Sequence, residues 1–235
     1  DLPWGLYEFL RLPQGLCNSP STFQRIMEFI FGDMNLSELV LYLDDVLVFS
    51  ESFTEHLERL DKVFNRLERH WLKLKGTKCK LFQKSVSHLG HIVSDQGISV
   101  DHEKTARIRD WPIPKSAEQL RSFLGLASYY RRYVKNFAKI AAPLHALSGK
   151  ALEKVGNKEA IVWNSEADDA FQTLKKALCE APVLAYPQFD RDFVLEIDAS
   201  LQGLGACLSQ LDDSGNLHPV AYASRGDRKS TRLNS

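Results

Sequence analysis

The chain has 235 residues, which is enough for one or two domains of ordinary size. A hydrophobic fraction of 44% with 26% charged residues is typical of a globular protein, and no apolar run reaches the ~18 residues of a membrane span. The formal net charge of zero excludes a uniformly basic chain, and four widely spaced cysteines show neither zinc-site spacing nor the density of a disulfide framework, which suits a reducing compartment.

The charges are distributed unevenly along the chain. Residues 54–140 contain 18 Lys and Arg against 9 Asp and Glu, whereas residues 150–215 contain 6 against 12. A basic middle segment is the electrostatic footprint expected of a protein that binds a phosphate backbone. For any single lysine in this segment, a solvated helix face is the alternative interpretation.

The first predicted helix follows an irregular lead-in over residues 1–18, which Pro3, Pro13 and Gly15 interrupt. Ser19 followed by Pro20 predicts the helix start, with Ser19 as the capping residue, and Gly32 predicts its end. Its apolar face would consist of Phe23, Ile26, Met27 and Ile30.

The apolar run at residues 40–49 is interrupted by two adjacent acids, Asp44 and Asp45. Val, Leu, Tyr and Phe favour strands whereas Asp is common in turns, so the run predicts a β-hairpin with both acids at its tip. Adjacent carboxylates repel each other unless a cation binds them, and Mg²⁺ is commonly bound by one or two carboxylates. On these residues alone, an ordinary Asp-Asp turn is the favoured interpretation.

Ser52 and Glu55 form a predicted capping box that starts the next helix. Its apolar face would consist of Leu57, Leu60, Phe64, Leu67 and Trp71. Lysines alternate with apolar residues across residues 72–82, which predicts a strand with one basic face. Residues 86–100 then predict a hairpin that turns at residues 95–97. His88 and His91 lie in it without further ligands at zinc spacing, so we do not interpret them as a metal pair.

Residues 101–149 are predicted to be helical. Asp101 caps a helix over residues 102–110, residues 111–114 interrupt it, and Ser116 starts the next helix. An aromatic and basic cluster follows, made of Tyr129, Tyr130, Arg131, Arg132, Tyr133 and Lys135. Such a mixture suits contact with nucleic acid, and a helix-bundle core with solvated arginines is an equally weighted alternative.

The last third of the chain predicts a linker and then a sheet. Residues 148–162, with two glycines and scattered charges, are the linker candidate. A helix within residues 163–180 and a short strand at residues 181–187 follow. Three consecutive strands are then predicted at residues 193–199, 203–211 and 217–223. Asp198 lies near the end of the first of these, where a lone acid is by itself an ordinary strand-end residue.

Two early segments together resemble a known family. Residues 12–20, read with Tyr42, Leu43, Asp44 and Asp45, resemble the palm of reverse transcriptases from Ty3/gypsy-type LTR retrotransposons. The resemblance continues downstream almost without interruption. The remaining matching segments are residues 89–91, similar to the primer-grip hairpin, residues 120–126 and 129–132, similar to the thumb, and residues 196–200, similar to the first strand of an RNase H domain.

The resemblance implies an α+β fold, with a reverse transcriptase palm and helical thumb followed by a truncated RNase H-like domain of mixed sheet and helices. The implied domains are a partial palm with the primer-grip hairpin at residues 1–100, thumb-like helices at 101–150, a connection at 151–190, the start of the RNase H-like domain at 191–226, and an artefactual or disordered tail at 227–235.

The resemblance also implies roles for individual residues. Asp44, Asp45 and Asp198 would be catalytic and would bind metal, with Mg²⁺ as the cofactor and Mn²⁺ as an alternative. Gln14, Gly15, Tyr42 and Leu43 would contact the template and the nucleotide. The primer grip would be formed by Leu89, Gly90 and His91, and the nucleic-acid backbone would be contacted by Arg131 and Arg132.

The implied function is that of an RNA-directed DNA polymerase with associated ribonuclease H. The implied partners are an RNA or DNA template with its primer, deoxynucleoside triphosphates and the rest of the Pol polyprotein, with no membrane. The implied location is the cytoplasm, in a virus-like particle, with nuclear delivery as an option. A catalytically inactive or domesticated nucleic-acid-binding Pol fragment is the alternative.

The sequence departs from the family pattern in three places. The family's third polymerase acid lies upstream of the loop at residues 12–15, and no residue before Leu12 matches it. Of the RNase H acids only the first, Asp198, has a match. The N-terminus reads as cut from a longer chain. Residues 227–235 do not continue the family pattern, so we expect either an artefact of sequence assembly or a disordered basic terminus.

Overall fold

The computed structural model describes residues 4–149, 152–155, 158–200 and 203–226. Contacts within the chain divide it into two compact units, unit 1 at residues 1–82 and unit 2 at residues 83–235. Helices and small antiparallel sheets occur in both, so the predicted α+β class is confirmed. Within the described part of the chain, no helix is long and apolar enough to cross a membrane.

The described residues of unit 1 form two α-helices, one β-hairpin and a short 3₁₀ turn. Helix α1 spans Ser19–Phe31, strands β1 and β2 span Leu39–Tyr42 and Asp45–Val48, and helix α2 spans Phe53–Arg69. The core that they share consists of Met27, Ile30, Phe31, Met34, Leu39, Leu41, Val63 and Leu67. One face of each helix therefore packs on the hairpin that carries the two adjacent acids.

The helix starts of unit 1 are confirmed in position and corrected in detail. In α2, the Ser52 hydroxyl accepts a hydrogen bond from the Glu55 amide at 3.3 Å, as the capping box predicts. In α1, Asn18 is the cap position, and Ser19 lies inside the helix, where its hydroxyl donates to the Pro13 carbonyl at 2.7 Å. The predicted apolar face of α2 ends too late, because Trp71 lies beyond the helix and is 90% exposed.

The predicted basic strand at residues 72–82 is wrong. This segment contains a short 3₁₀ turn, Gly76–Lys78, and no strand. Alternation of lysine and leucine suits a strand only where a neighbouring strand accepts its hydrogen bonds, and this segment has no such neighbour among the described strands. Leu74 and Leu81 are accordingly about half exposed.

Unit 2 begins with a three-stranded meander in place of the predicted single hairpin. Strands β3, β4 and β5 span Ser85–His88, His91–Ser94 and Gly97–Val100, in the order β3-β4-β5. The predicted turn near residues 95–97 is present. A second turn lies at Leu89 and Gly90, which both have positive φ angles, of 50° and 78°. The predicted first strand of the hairpin, residues 86–94, is therefore divided by this turn into β3 and β4.

Three helices follow the meander. Helices α3, α4 and α5 span His102–Arg109, Ala117–Tyr129 and Phe137–Gly149. The predicted caps are confirmed, since Asp101 accepts from the Glu103 amide at 2.8 Å and Ser116 accepts from the Gln119 amide at 3.3 Å. A 3₁₀ turn, Arg131–Tyr133, connects α4 to the segment that leads into α5.

The predicted linker at residues 148–162 is wrong for the part that the structure describes. Strands β6 (Leu152–Val155) and β7 (Lys158–Ile161) pair as an antiparallel hairpin, and helix α6 (Ser165–Cys179) follows. The core of unit 2 is one cluster of buried residues, which includes Val100, Leu184 and residues of α3 to α6.

The predicted strand at residues 181–187 is reduced to a single bridge. Leu184 exchanges two backbone hydrogen bonds of 2.8 Å with Ile98 of β5, and the Ala185 amide donates to the Pro219 carbonyl at 2.8 Å. The Tyr186 hydroxyl donates to the Ser94 carbonyl at 2.9 Å. This short segment, residues 184–186, therefore connects the meander to the final sheet.

The final sheet agrees with the sequence-based prediction. Strands β8 (Val194–Ser200), β9 (Gly203–Leu211) and β10 (Leu217–Gly226) are consecutive and antiparallel, in the order β10-β9-β8. The predicted tail at residues 227–235 lies outside the described residues. The predicted domain boundaries near residues 100, 150 and 190 stay predictions.

Candidate functional site

The two adjacent acids lie at the connection of the β1–β2 hairpin. Tyr42 pairs with Asp45, so the connection consists of Leu43 and Asp44, and Asp45 is the first residue of β2. This corrects the expectation that both acids form the tip. Two-residue hairpin turns favour positive φ, and Leu43 has φ 52°, an unusual value for a leucine. Its amide donates to Gln24 Oε1 of α1 at 2.6 Å, which supports the strained turn.

Both carboxylates of this hairpin are available to a ligand. Asp44 and Asp45 are exposed, and neither carboxylate makes a hydrogen bond or an ion pair with a described residue. Carboxylate oxygens are the ligands that Mg²⁺ prefers, so this pair fits two positions of a magnesium site. No group of three or more His, Cys, Asp or Glu suited to a metal occurs within the described ranges. Water, substrate phosphates or acids outside the described ranges would complete the coordination.

Of the residues predicted to contact template and nucleotide, Gln14, Gly15 and Tyr42 are exposed, and Leu43 is half-buried. Gln14 and Gly15 lie in a turn, and Tyr42 is 49% exposed. Gly15 has φ 95°, and a Cβ placed there would meet no atom within 4 Å. The backbone at this glycine is therefore open to close approach by a ligand.

The predicted primer-grip residues are held by three tyrosines from the end of α4 and the turn after it. The Tyr129 hydroxyl donates to the Leu89 carbonyl at 2.7 Å, and the Tyr130 hydroxyl donates to the Gly90 carbonyl at 2.9 Å. The Tyr133 hydroxyl lies 2.9 Å from His91 Nδ1. Of the two interpretations of the aromatic cluster, the structure supports core packing for the tyrosines at 130 and 133, each 1% exposed.

The ionisation of this cluster follows from its burial. Burial raises the pKa of Tyr130 and of Tyr133 to about 12, so both hydroxyls keep their protons near neutral pH. Burial lowers the pKa of His91, and Arg132 and His88 lower it further. These effects all favour the neutral form of the His91 ring.

The two predicted backbone-binding arginines are exposed and differ in their contacts. Arg131 donates to the Ser224 carbonyl of β10, and its guanidinium lies 5.7 Å from the centre of the Phe137 ring. Arg132 lies 5.9 Å from the centre of the Tyr133 ring. Arg131 thus helps to hold the final sheet, and the contact of either residue with nucleic acid stays a prediction.

Asp198 lies on β8, paired with Gly205 of β9, and is exposed. It lines a shallow concavity together with Asn136, Lys139 and Arg225. Asn136 was not singled out from the sequence. It has φ 57°, and its side chain packs on Gly205 so closely that a Cβ at that glycine would collide with it. Asn is one of the few residues that tolerate this backbone conformation, which is the signal that could have found it.

Two protein families match the chain. The family described as reverse transcriptase (RNA-dependent DNA polymerase) matches residues 3–93. The family described as the RNase H-like domain found in reverse transcriptase matches residues 163–233. The first range contains the hairpin with the two acids, and the second contains Asp198.

Curated relatives are Pol polyproteins of transposons. That of transposon 297 from Drosophila melanogaster is 40% identical over 94% of this chain and 20% of its own length. That of transposon gypsy from Drosophila melanogaster is 39% identical over 88% of this chain and 20% of its own length. The Tf2-3 polyprotein of Schizosaccharomyces pombe is 31% identical over 94% of this chain and 16% of its own length. The chain spans about a fifth of the length of these relatives.

Solved structures of reverse transcriptases are similar over nearly the whole chain. The foamy viral protease-reverse transcriptase in complex with dsDNA has a TM-score of 0.79 and 28% identity, covering 94% of this chain and 44% of its own. The same viral protein in complex with an RNA/DNA hybrid has a TM-score of 0.76 and 28% identity. The match covers 93% of this chain and 28% of the viral chain.

Proposed function

Because the chain belongs to the gypsy-type Pol polyproteins that contain reverse transcriptase and RNase H-like domains, we propose that it supplies the palm, the thumb and the first RNase H-like strands of an RNA-directed DNA polymerase with associated ribonuclease H. The observation that carries the proposal is the β1–β2 hairpin, where two exposed and unpaired acids lie within the matched reverse transcriptase range.

In the proposed polymerase, Asp44 and Asp45 hold divalent metal, Mg²⁺ in the first instance and Mn²⁺ as an alternative. Reverse transcriptase and RNase H domains generally use divalent metals. The bound metal would stabilise the attacking oxygen of the primer and the leaving oxygen of the nucleotide. The protein's own contribution is to keep both carboxylates in place, through the Leu43 turn and its bond to Gln24.

Other residues of the chain would position the nucleic acid. Gly15 offers open backbone beside Gln14, and the turn at residues 89–91 would contact the primer. The partners are an RNA or DNA template with its primer, deoxynucleoside triphosphates and the rest of the Pol polyprotein, and the place of action is a cytoplasmic virus-like particle. The reverse transcriptases solved with dsDNA and with an RNA/DNA hybrid support nucleic acid as the partner class.

For the ribonuclease H, Asp198 is proposed as the first metal-binding acid. No second acid joins it in the concavity that it lines with Asn136, Lys139 and Arg225, as far as the described residues show. A lone carboxylate beside two cations does not make a metal site. These residues alone therefore do not support a step of RNA cleavage.

A primer-extension assay tests the proposed polymerase. The polypeptide of residues 1–235 holds two of the acids that the family uses, so it should show no template-dependent extension with Mg²⁺. A polypeptide extended upstream in its own reading frame, to include a strand with a third acid, should extend a primer.

Asp44→Asn in the extended polypeptide should abolish extension again, with Asp61→Asn, an acid of α2 outside the hairpin, as the matched control. Extension that survives Asp44→Asn would overturn the proposal. Binding of primer-template without any extension by the longer polypeptide would favour the alternative, an inactive nucleic-acid-binding Pol fragment.

A further inference from the structure

The turn at residues 89–91 is contacted by three tyrosine side chains from the end of α4 and the 3₁₀ turn that follows it. The Leu89 and Gly90 carbonyls accept from the hydroxyls of Tyr129 at 2.7 Å and Tyr130 at 2.9 Å, and His91 Nδ1 lies 2.9 Å from the Tyr133 hydroxyl. The Gly90 carbonyl also accepts from the Asp101 amide at 3.2 Å. The backbone is thus held at the two residues that precede His91.

The ring of His91 is enclosed by the same three tyrosines. It stacks on Tyr129 and Tyr133, with ring centres 5.4 Å and 5.7 Å apart, and it meets Tyr130 edge to face at 5.5 Å. Rotation of the ring would break these contacts together with the bond at Nδ1. The orientation of the imidazole is therefore set by its surroundings.

The direction of the bond between Tyr133 and His91 can be deduced from the available partners. The Tyr133 side chain is almost wholly buried, and its hydroxyl has no other acceptor among the described residues. If Nδ1 carried the proton and donated it, the hydroxyl proton of Tyr133 would be left buried without an acceptor, which is costly. If the hydroxyl donates to Nδ1, both groups are satisfied.

This direction fixes the tautomer of a neutral imidazole. With Nδ1 acting as acceptor, the single ring proton lies on Nε2. His91 Nε2 has no partner in the described part of the chain and is not among its buried unpaired atoms. The turn thus offers one N–H donor of set orientation that is not fully buried and that no described residue accepts.

We propose that Tyr133 is a positioning residue that locks His91 in the Nε2-protonated tautomer, so that the turn offers a directed donor to a phosphate oxygen of bound nucleic acid. The donor function rests on the proposed function, whereas the tautomer lock does not. Tyr129 and Tyr130 hold the preceding carbonyls and fix the position of the turn.

The lock is tested by nitrogen NMR of the 1–235 chain labelled with ¹⁵N-histidine. Long-range ¹H–¹⁵N correlations at pH 8 should show His91 as the Nε2-protonated tautomer, and Tyr133→Phe should produce a mixture of both tautomers. Tyr129→Phe is the matched control, because it removes a hydroxyl that contacts Leu89 and not the ring nitrogen. An Nδ1-protonated ring in the unaltered chain, or a tautomer unchanged by Tyr133→Phe, would overturn the lock.

The donor is tested by fluorescence anisotropy with a labelled primer-template in the same chain. Loss of one directed hydrogen bond should weaken binding about two- to tenfold in Tyr133→Phe. His91→Ala should weaken binding at least as much, and Tyr133→Phe should then have no further effect in that background, because the tyrosine acts through the histidine. Losses of affinity that add in the double variant, or no loss of affinity in Tyr133→Phe, would refute the proposed donor role of His91.

The two readouts separate the two proposals. A confirmed lock in a chain that binds no primer-template would contradict the proposed function and leave the lock established. Measurable binding together with a mixture of His91 tautomers would refute the lock and leave nucleic acid supported as the partner class.

Discussion

Gly90→Ala tests how tightly the tyrosines hold the turn. Gly90 has φ 78°, and an added Cβ would lie 2.6 Å from the Tyr130 hydroxyl. The left-handed backbone alone costs an alanine ~1 kcal/mol. Because Tyr130 is buried in the core of unit 2, its ring has little room to move aside, and displacing its hydrogen bond to Gly90 adds ~1–2 kcal/mol.

We therefore expect Gly90→Ala to lower the free energy of unfolding of unit 2 by ~2–3 kcal/mol. Gly215→Ala is the matched control in the same unit. Gly215 has φ 82°, and a Cβ there would meet nothing within 4 Å. Its substitution should cost only the backbone strain, ~1 kcal/mol.

The assay is urea denaturation followed by tryptophan fluorescence. Trp4 and Trp71 of unit 1 are 79% and 90% exposed, so both can be replaced by Phe without a change in packing. Trp111 and Trp163, which pack against the core of unit 2, then report on that unit alone.

A double-mutant cycle isolates the collision from the strain. Tyr130→Phe removes the oxygen that the new Cβ would meet, so in that background Gly90→Ala should cost no more than Gly215→Ala. Equal costs at the two glycines in the unaltered background, or strict additivity with Tyr130→Phe, would refute this account of the turn.

Two further predictions concern charge. The bond from Arg66 lowers the pKa of Asp33 to about 2, so unit 1 should keep this pair's stabilisation above pH ~4 and lose it as the pH falls towards 2. Between pH 2 and 5, the urea midpoint of Asp33→Asn should fall less than that of the unaltered chain. Identical pH profiles for the two chains would contradict the pairing of Asp33 with Arg66. Primer-template binding by the 1–235 chain should weaken steeply with salt, and Arg132→Glu should weaken it further and reduce the salt dependence. Arg131→Glu should also lower stability, because it removes the bond to the Ser224 carbonyl. Binding that changes neither with salt nor with Arg132→Glu would count against a nucleic-acid surface at these arginines.

Local signals in the sequence predicted helix starts correctly. Ser52, Asp101 and Ser116 cap helices as expected, because a cap depends on the side chain and the next three amides only. The final three strands were also predicted, since each combines an apolar run with a turn signal at its end.

Non-local features could not be predicted in the same way. The alternating segment at residues 72–82 has strand-like periodicity but no neighbouring strand with which to pair. The turn at Leu89 depends on a positive φ that leucine rarely adopts and that Tyr129 supports from forty residues away. The residues at 148–162 look like a linker in composition, and their pairing as β6 and β7 has no composition signal.

The candidate site was located by a motif and not by its chemistry. Asp44 and Asp45 alone predict a turn, and only the surrounding family pattern gave them a catalytic meaning. The support of Leu43 by Gln24 was not foreseen, because a contact between residues nineteen positions apart leaves no periodic signal in the sequence.

The short bridge at residues 184–186 affects how loss-of-function mutations in this chain should be interpreted. Leu184 is bonded to Ile98 in the meander, and the next residue, Ala185, is bonded to Pro219 in the RNase H-like sheet. A substitution in β10 can therefore disturb the strands that carry the 89–91 turn. For the proposed polymerase, a genetic screen for defective DNA synthesis should therefore recover substitutions in β10, far in sequence from the hairpin with the two acids, and their position alone would not assign them to the proposed ribonuclease.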